Sequence, residues 1–223
     1  MNERLREAIA ARRRADMVSA LRGLARPAAP AIEVVPPAAP ATEEACDLCG
    51  GVIPEDHRHL LNLHERTIVC VCEACWGLKA GDPDLRPTGS RTLWLDGFEL
   101  PDELWARFGI PIGLAFFMFS SVTECVVAMY PSPAGATESE LHFEAWSELV
   151  ALNPVLADLE PDGEALIVNR MGEPYAFAIA PIDRCYELVG LVKTKWEGIS
   201  GGGGLDEAVA GYFERLRDAA VPA

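Results

Sequence analysis

A chain of 223 residues, half of them hydrophobic, can bury one sizeable core beside a small module and is too apolar for wholesale disorder. Its formal net charge of −15 excludes a body built to bind nucleic acid, because so acidic a surface repels phosphate backbones. The longest apolar run, Ile110 to Ser121, is broken by Pro111 and Gly113 and is too short to span a bilayer, and no apolar stretch with a cleavage site follows the arginine-rich N-terminus, so the expected location is cytoplasmic.

Residues 1–26 read as a basic amphipathic helix, with Leu5, Ile9, Met17, Leu21 and Leu24 recurring near helical spacing between arginines. Residues 27–43, rich in proline and alanine, form a semi-extended linker that cannot build a core. Residues 44–80 hold five of the seven cysteines. Two C-x2-C pairs, Cys46/Cys49 and Cys72/Cys75, bracket a strand-like Thr67-Ile-Val-Cys70. A C-x2-C turn sets two thiolates on one side of a tight loop, and two such turns facing each other make a tetrahedral four-sulfur site. Gly50 relieves the steric demand of the first turn. Cys46, Cys49, Cys72 and Cys75 are therefore the candidate metal ligands, with Cys70, His57 and His59 as alternates. His57 and His59 alternate along an extended segment and so face one direction. Zinc suits four thiolates without redox consequence. Iron, as in the four-thiolate electron carriers of the rubredoxin kind, is the alternative metal.

Residues 81–90 read as a connecting loop, and a body over 91–223 follows. A short strand is expected over 92–100, and a brief helix capped by Asp102. The continuous apolar run Gly113–Phe119 suits a buried central strand, and Cys125–Tyr130 returns beside it as a hairpin. The stretch 131–139 reads as a loop feeding a helix that runs to Leu152. Thr137 and Glu140 stand at capping-box spacing, and the loop is a candidate anion site for an enzyme. Strands over 164–169 and 175–180 make a second hairpin. Helices follow from Pro181 to Lys193 and, capped by Asp206, to Ala220. Cys125 and Cys185 read as buried thiols. Strands arriving in adjacent pairs predict an α+β fold: a small zinc-ribbon-like module, then a mainly antiparallel sheet with helices on one face.

The strings CDLCG, HRHLL, IPIGLAFFMFSS, VVAMYPSPAGATES, ALIVNR, PIDRCYELVGLV and WEGISGG together resemble an uncharacterised actinobacterial-type family catalogued as a domain of unknown function. The resemblance covers roughly residues 44 to 215, and Cys46, Cys49, Cys72 and Cys75 match the family's pattern. Its members are commonly encoded beside high-affinity, oxygen-tolerant nickel–iron hydrogenases. The resemblance implies a non-catalytic accessory or maturation protein, with a hydrogenase subunit or another maturation factor as its protein partner. An iron electron carrier serving such a hydrogenase is the alternative.

Overall fold

The computed structural model describes residues 44–139, 141, 143–197 and 202–222. The expected N-terminal helix and linker, and Glu140 of the expected capping box, lie outside the described residues.

Chain order begins with a small three-stranded antiparallel sheet. Strand β1 (Arg58–Asn62) pairs on one side with β2 (Thr67–Val71) and on the other with β3 (Leu85–Pro87). Helix α1 (Glu73–Lys79) lies between β2 and β3 in the chain. Strand β3 falls in the stretch expected to be loop: Leu85-Arg-Pro carries only three residues of strand, below the length at which alternation is readable.

The second sheet has seven strands. Short β4 (Leu93–Trp94) is followed by helix α2 (Asp102–Arg107) and by the central strand β5 (Leu114–Ser120). Strands β6 (Cys125–Ser132) and β7 (Gly135–Ser139) come next, then helix α3 (Phe143–Leu152) and a 3₁₀ turn, Pro154–Asp158. The remainder is β8 (Glu164–Asn169), β9 (Ala176–Pro181), α4 (Ile182–Lys195), α5 (Gly203–Asp218) and β10 (Val221–Pro222). The sheet order is β10-β4-β9-β8-β5-β6-β7, antiparallel throughout except where β10 joins β4. Asp102 and Asp206 sit inside the first turns of their helices, behind the caps Pro101 and Gly202.

The α+β class and antiparallel pairing are as the order of elements predicts. The helices, however, cover both faces of the sheet, not one. Leu114, Phe116 and Met118 of β5 pack with α4 and α5, through residues such as Leu188, Val192 and Phe213. Ala115 and Phe117 pack with Leu104, Phe108, Trp146 and Leu149 from α2 and α3. The cause is in the strand itself. A continuous apolar run has no polar face to give to water, so both sides must be covered.

The stretch 131–139 is also corrected. It is the β6–β7 hairpin, with Tyr130 opposite Thr137 and Ser132 opposite Gly135. Gly135, at φ 122, lets the chain reverse there. Ser132 Oγ and Thr137 Oγ1 lie 3.1 Å apart across the hairpin. The loop expected ahead of a helix N-terminus is thus a strand hairpin, and residues 131–139 do not form the helix-entry cradle that the anion-site expectation rested on. Cys185 is buried on α4, whereas Cys125 is exposed at the start of β6, where the turn lifts it out of the core.

Two tyrosines tie helices to the rest of the fold. Tyr186 donates its hydroxyl to the Arg66 carbonyl, and Tyr212 donates to the Arg184 carbonyl at 2.6 Å. Burial pushes Tyr186 up to about 12 and drives Tyr212 upward as well, with the neighbouring Cys185 adding to both. In the unfolded chain both ionise near pH ~10. The stability they carry is therefore complete below that pH and is lost as pH rises through the folded values. Above pH ~10 the urea midpoint is expected to fall as pH rises, less steeply in Tyr212→Phe than in wild type. An equal slope in that variant would show that Tyr212 is not a source of the alkaline loss.

Candidate metal centre

The first C-x2-C turn is built by local hydrogen bonds. Cys46 N–H donates to the Gly51 carbonyl at 2.7 Å, and Gly50 N–H to the Cys46 carbonyl at 2.8 Å. Gly50 holds φ 73, the left-handed conformation that a β-carbon disfavours. Asp47 then pins this turn to β2: its N–H donates to the Cys70 carbonyl at 2.9 Å, and its carboxylate accepts the Cys70 N–H at 2.6 Å. The second turn is the start of α1. Cys72 is the N-cap residue, and its sulfur accepts the Cys75 N–H at 3.4 Å.

These two turns bring the sulfurs of Cys46, Cys49, Cys72 and Cys75 within 4.8 Å of one another. Cys49 Sγ and Cys72 Sγ stand 3.8 Å apart. A zinc–sulfur bond of about 2.3 Å gives a tetrahedron with an edge of about 3.8 Å, so the cluster has the size that one four-thiolate ion requires. The cluster could hold a metal ion. The module's own apolar interior is Cys46, Ile53, Leu60 and Val71, too little to hold a fold by itself.

The protonation chemistry agrees with a cation-dependent site. The Cys72 N–H holds the Cys46 thiol down at about 6, against its burial. Cys75 is pushed up to about 12, first by its hydrogen bond to the Cys72 sulfur and then by that to Cys49. Four sulfurs this close cannot all ionise on their own account. A divalent cation among them removes the penalty and displaces the remaining protons.

The three alternates do not join this cluster. His57, His59 and Cys70 form a second group, their ligand atoms within 4.8 Å of one another. Strand alternation explains the division. His59 lies directly opposite Cys70, and Leu61 opposite Ile68, on the face turned to the body. Leu60, Val69 and Val71 lie on the other face, with the four cysteines. Cys72 escapes the alternation because it is past the strand, at a helix cap where the chain turns.

The same alternation seats the module on the body. Leu61 and Leu63 enter the core beneath α4. Asp183, in the first turn of α4, accepts from His59 Nδ1 at 2.9 Å. Arg66, in the β1–β2 turn, pairs with Glu138 of β7. Asp183 was not among the residues the sequence singles out, since nothing local links it to a histidine 124 positions away. The Arg58 guanidinium covers the Trp76 ring at 4.7 Å and pairs with Glu73 at 3.1 Å, bracing β1 against α1.

Residues 45–220 match the model of a protein family described as "Family of unknown function (DUF5947)". No curated protein and no solved structure matches the chain.

Proposed function

We propose, of a chain that belongs to the DUF5947 family, that it is a non-catalytic metal-binding accessory protein whose four cysteines hold structural zinc and whose module docks on a protein partner. The observation that carries the proposal is the convergence of four sulfurs in a volume the size of one ion's coordination sphere. Four protein thiolates close that sphere and leave no position for a substrate, which is the character of a structural site.

Exposed apolar side chains on the module support docking. Leu48 lies inside the first turn, Val52 just after it and Leu78 on α1, and Leu78 is 81% exposed. Side chains this apolar gain from being covered by a partner. The partner's identity rests on the family resemblance alone, which implies a nickel–iron hydrogenase subunit or maturation factor. Localisation in the cytoplasm belongs to the same proposal. Among the described residues no helix is long and apolar enough to cross a membrane.

Tagged full-length protein is expected to recover a hydrogenase component from cells that make one. Leu78→Asp should weaken that capture at least tenfold, and Cys72→Ser should abolish it. Capture unchanged in both variants would remove the module from the interface. A second reading, an iron electron carrier, is favoured by the exposure of Cys49, which brings one sulfur to the surface. It predicts a red protein when oxidised, whereas the zinc protein is colourless.

A further inference from the structure

Beside the four-cysteine cluster, the body-facing side of the module carries a different donor set. His57, His59 and Cys70 come from three places: the approach to β1, β1 itself and β2. Their ligand atoms lie within 4.8 Å of one another. The two imidazole rings meet edge to face, with centroids 4.6 Å apart.

The hydrogen bonds of the two rings fix which nitrogen each can offer. His57 Nδ1 lies 2.8 Å from the Pro54 carbonyl oxygen and 3.3 Å from Glu44 Oε2. His59 Nδ1 lies 2.9 Å from Asp183 Oδ2. A carbonyl and an ionised carboxylate accept and do not donate. Each Nδ1 therefore carries a proton, and in the neutral imidazole Nε2 is left as the atom with a lone pair to offer a metal. This is the outer-shell arrangement that orients metal-bound histidines, with a backbone carbonyl behind one ring and a carboxylate behind the other.

An independent observation points to a ligand. The His57 side chain is only 6% exposed, and its Nε2 is buried with no hydrogen-bond partner. A buried imidazole nitrogen in that state calls for an occupant. The neighbouring cleft, about 830 Å³, is lined by Glu44, Asp56, His57, His59, Asp183 and Tyr186, so both imidazoles stand at its wall.

We propose that His57, His59 and Cys70 bind a second divalent metal ion, zinc by its donor preference, with an exchangeable fourth position open to this cleft. Two imidazoles and one thiolate form a borderline-soft set that zinc accepts. Three protein ligands leave one tetrahedral position for water or a small exogenous donor, in contrast to the closed four-cysteine site. Asp183 acts as a positioning residue: it holds the His59 ring and, being on α4, fixes the site to the body as well as to the module.

The test uses the full chain, analysed for metal as purified and then stripped and reloaded with cobalt(II). Wild type is expected to carry two equivalents of tightly bound metal. His59→Gln and Cys70→Ser should each carry one, and Asp183→Asn should bind its second equivalent about 10–100-fold more weakly. Azide should shift the cobalt d–d bands of wild type and leave those of Cys70→Ser unmoved. The loss must follow Cys70 and His59 while the four-cysteine site keeps its own equivalent, seen as retained sulfur-to-cobalt charge-transfer bands, so the two sites are read separately. Equal metal content in wild type, His59→Gln and Cys70→Ser would overturn the proposal. An azide response that persists without Cys70 would also overturn it.

Discussion

Removing metal from the full chain is expected to unfold residues 45–87 while the seven-stranded sheet stays folded. The module buries Cys46, Ile53, Leu60 and Val71 as its own interior, and two of its three strands have five residues each. Ordering one residue costs about 1–2 kcal/mol of backbone entropy, far more over this length than four small apolar side chains return. Zinc held by four thiolates can contribute about 10 kcal/mol or more at neutral pH, which reverses that balance. Amide hydrogen exchange should therefore become fast across β1–β3 in chelator-treated protein and in Cys72→Ser. Protection in β5 and β8 should persist. The body would still be weakened. Leu61 and Leu63 would leave the core beneath α4, and burying a leucine contributes about 1.5–3 kcal/mol. Unchanged protection of β1–β3 after complete metal removal would mean that packing on the body alone folds the module.

The second large effect lies on the opposite side of the sheet. Phe117 is fully buried in β5, 4.9 Å from the Phe108 ring and 5.7 Å from the stacked Trp146 ring. It is the contact through which β5, α2 and α3 share one core. Phe117→Ala should cost about 3–5 kcal/mol, since rings held by two helices cannot collapse into the space left. Val122→Ala, in the exposed β5–β6 turn, should stay within about 0.5 kcal/mol. Urea unfolding with an unchanged m-value measures both. A Phe117→Ala loss below about 1 kcal/mol would contradict the two-sided core.

The long elements were legible because their patterns are physical necessities. Leu114–Ser120 is apolar on both faces and can only be an inner strand. That same fact implies helices on both sides of the sheet, a consequence the pairing of hairpins obscures. The 131–139 stretch misleads because Pro131, Pro133 and Gly135 carry turn signals. Yet Pro131 lies within β6, Ser132 closes that strand and Gly135 opens β7, so the turn is the two-residue tip Pro133-Ala134 and not a loop. The convergence of the four cysteines was legible from spacing, since C-x2-C encodes its own turn. That Cys70 turns to the opposite face, beside His57 and His59, was not. It depends on where β2 ends and α1 begins, and boundaries of that kind are set by capping and not by composition. Asp183 reaches His59 only through tertiary packing, which no local pattern records.

The proposed role of the module depends on Cys46, Cys49, Cys72 and Cys75 sharing one zinc ion. X-ray absorption at the zinc edge tests it most directly, on His59→Gln/Cys70→Ser protein loaded with one equivalent, so that only the four-cysteine cluster contributes. A single shell of four sulfurs at about 2.3 Å is expected. A shell dominated by nitrogen or oxygen at about 2.0–2.1 Å, or failure to retain zinc, would contradict it.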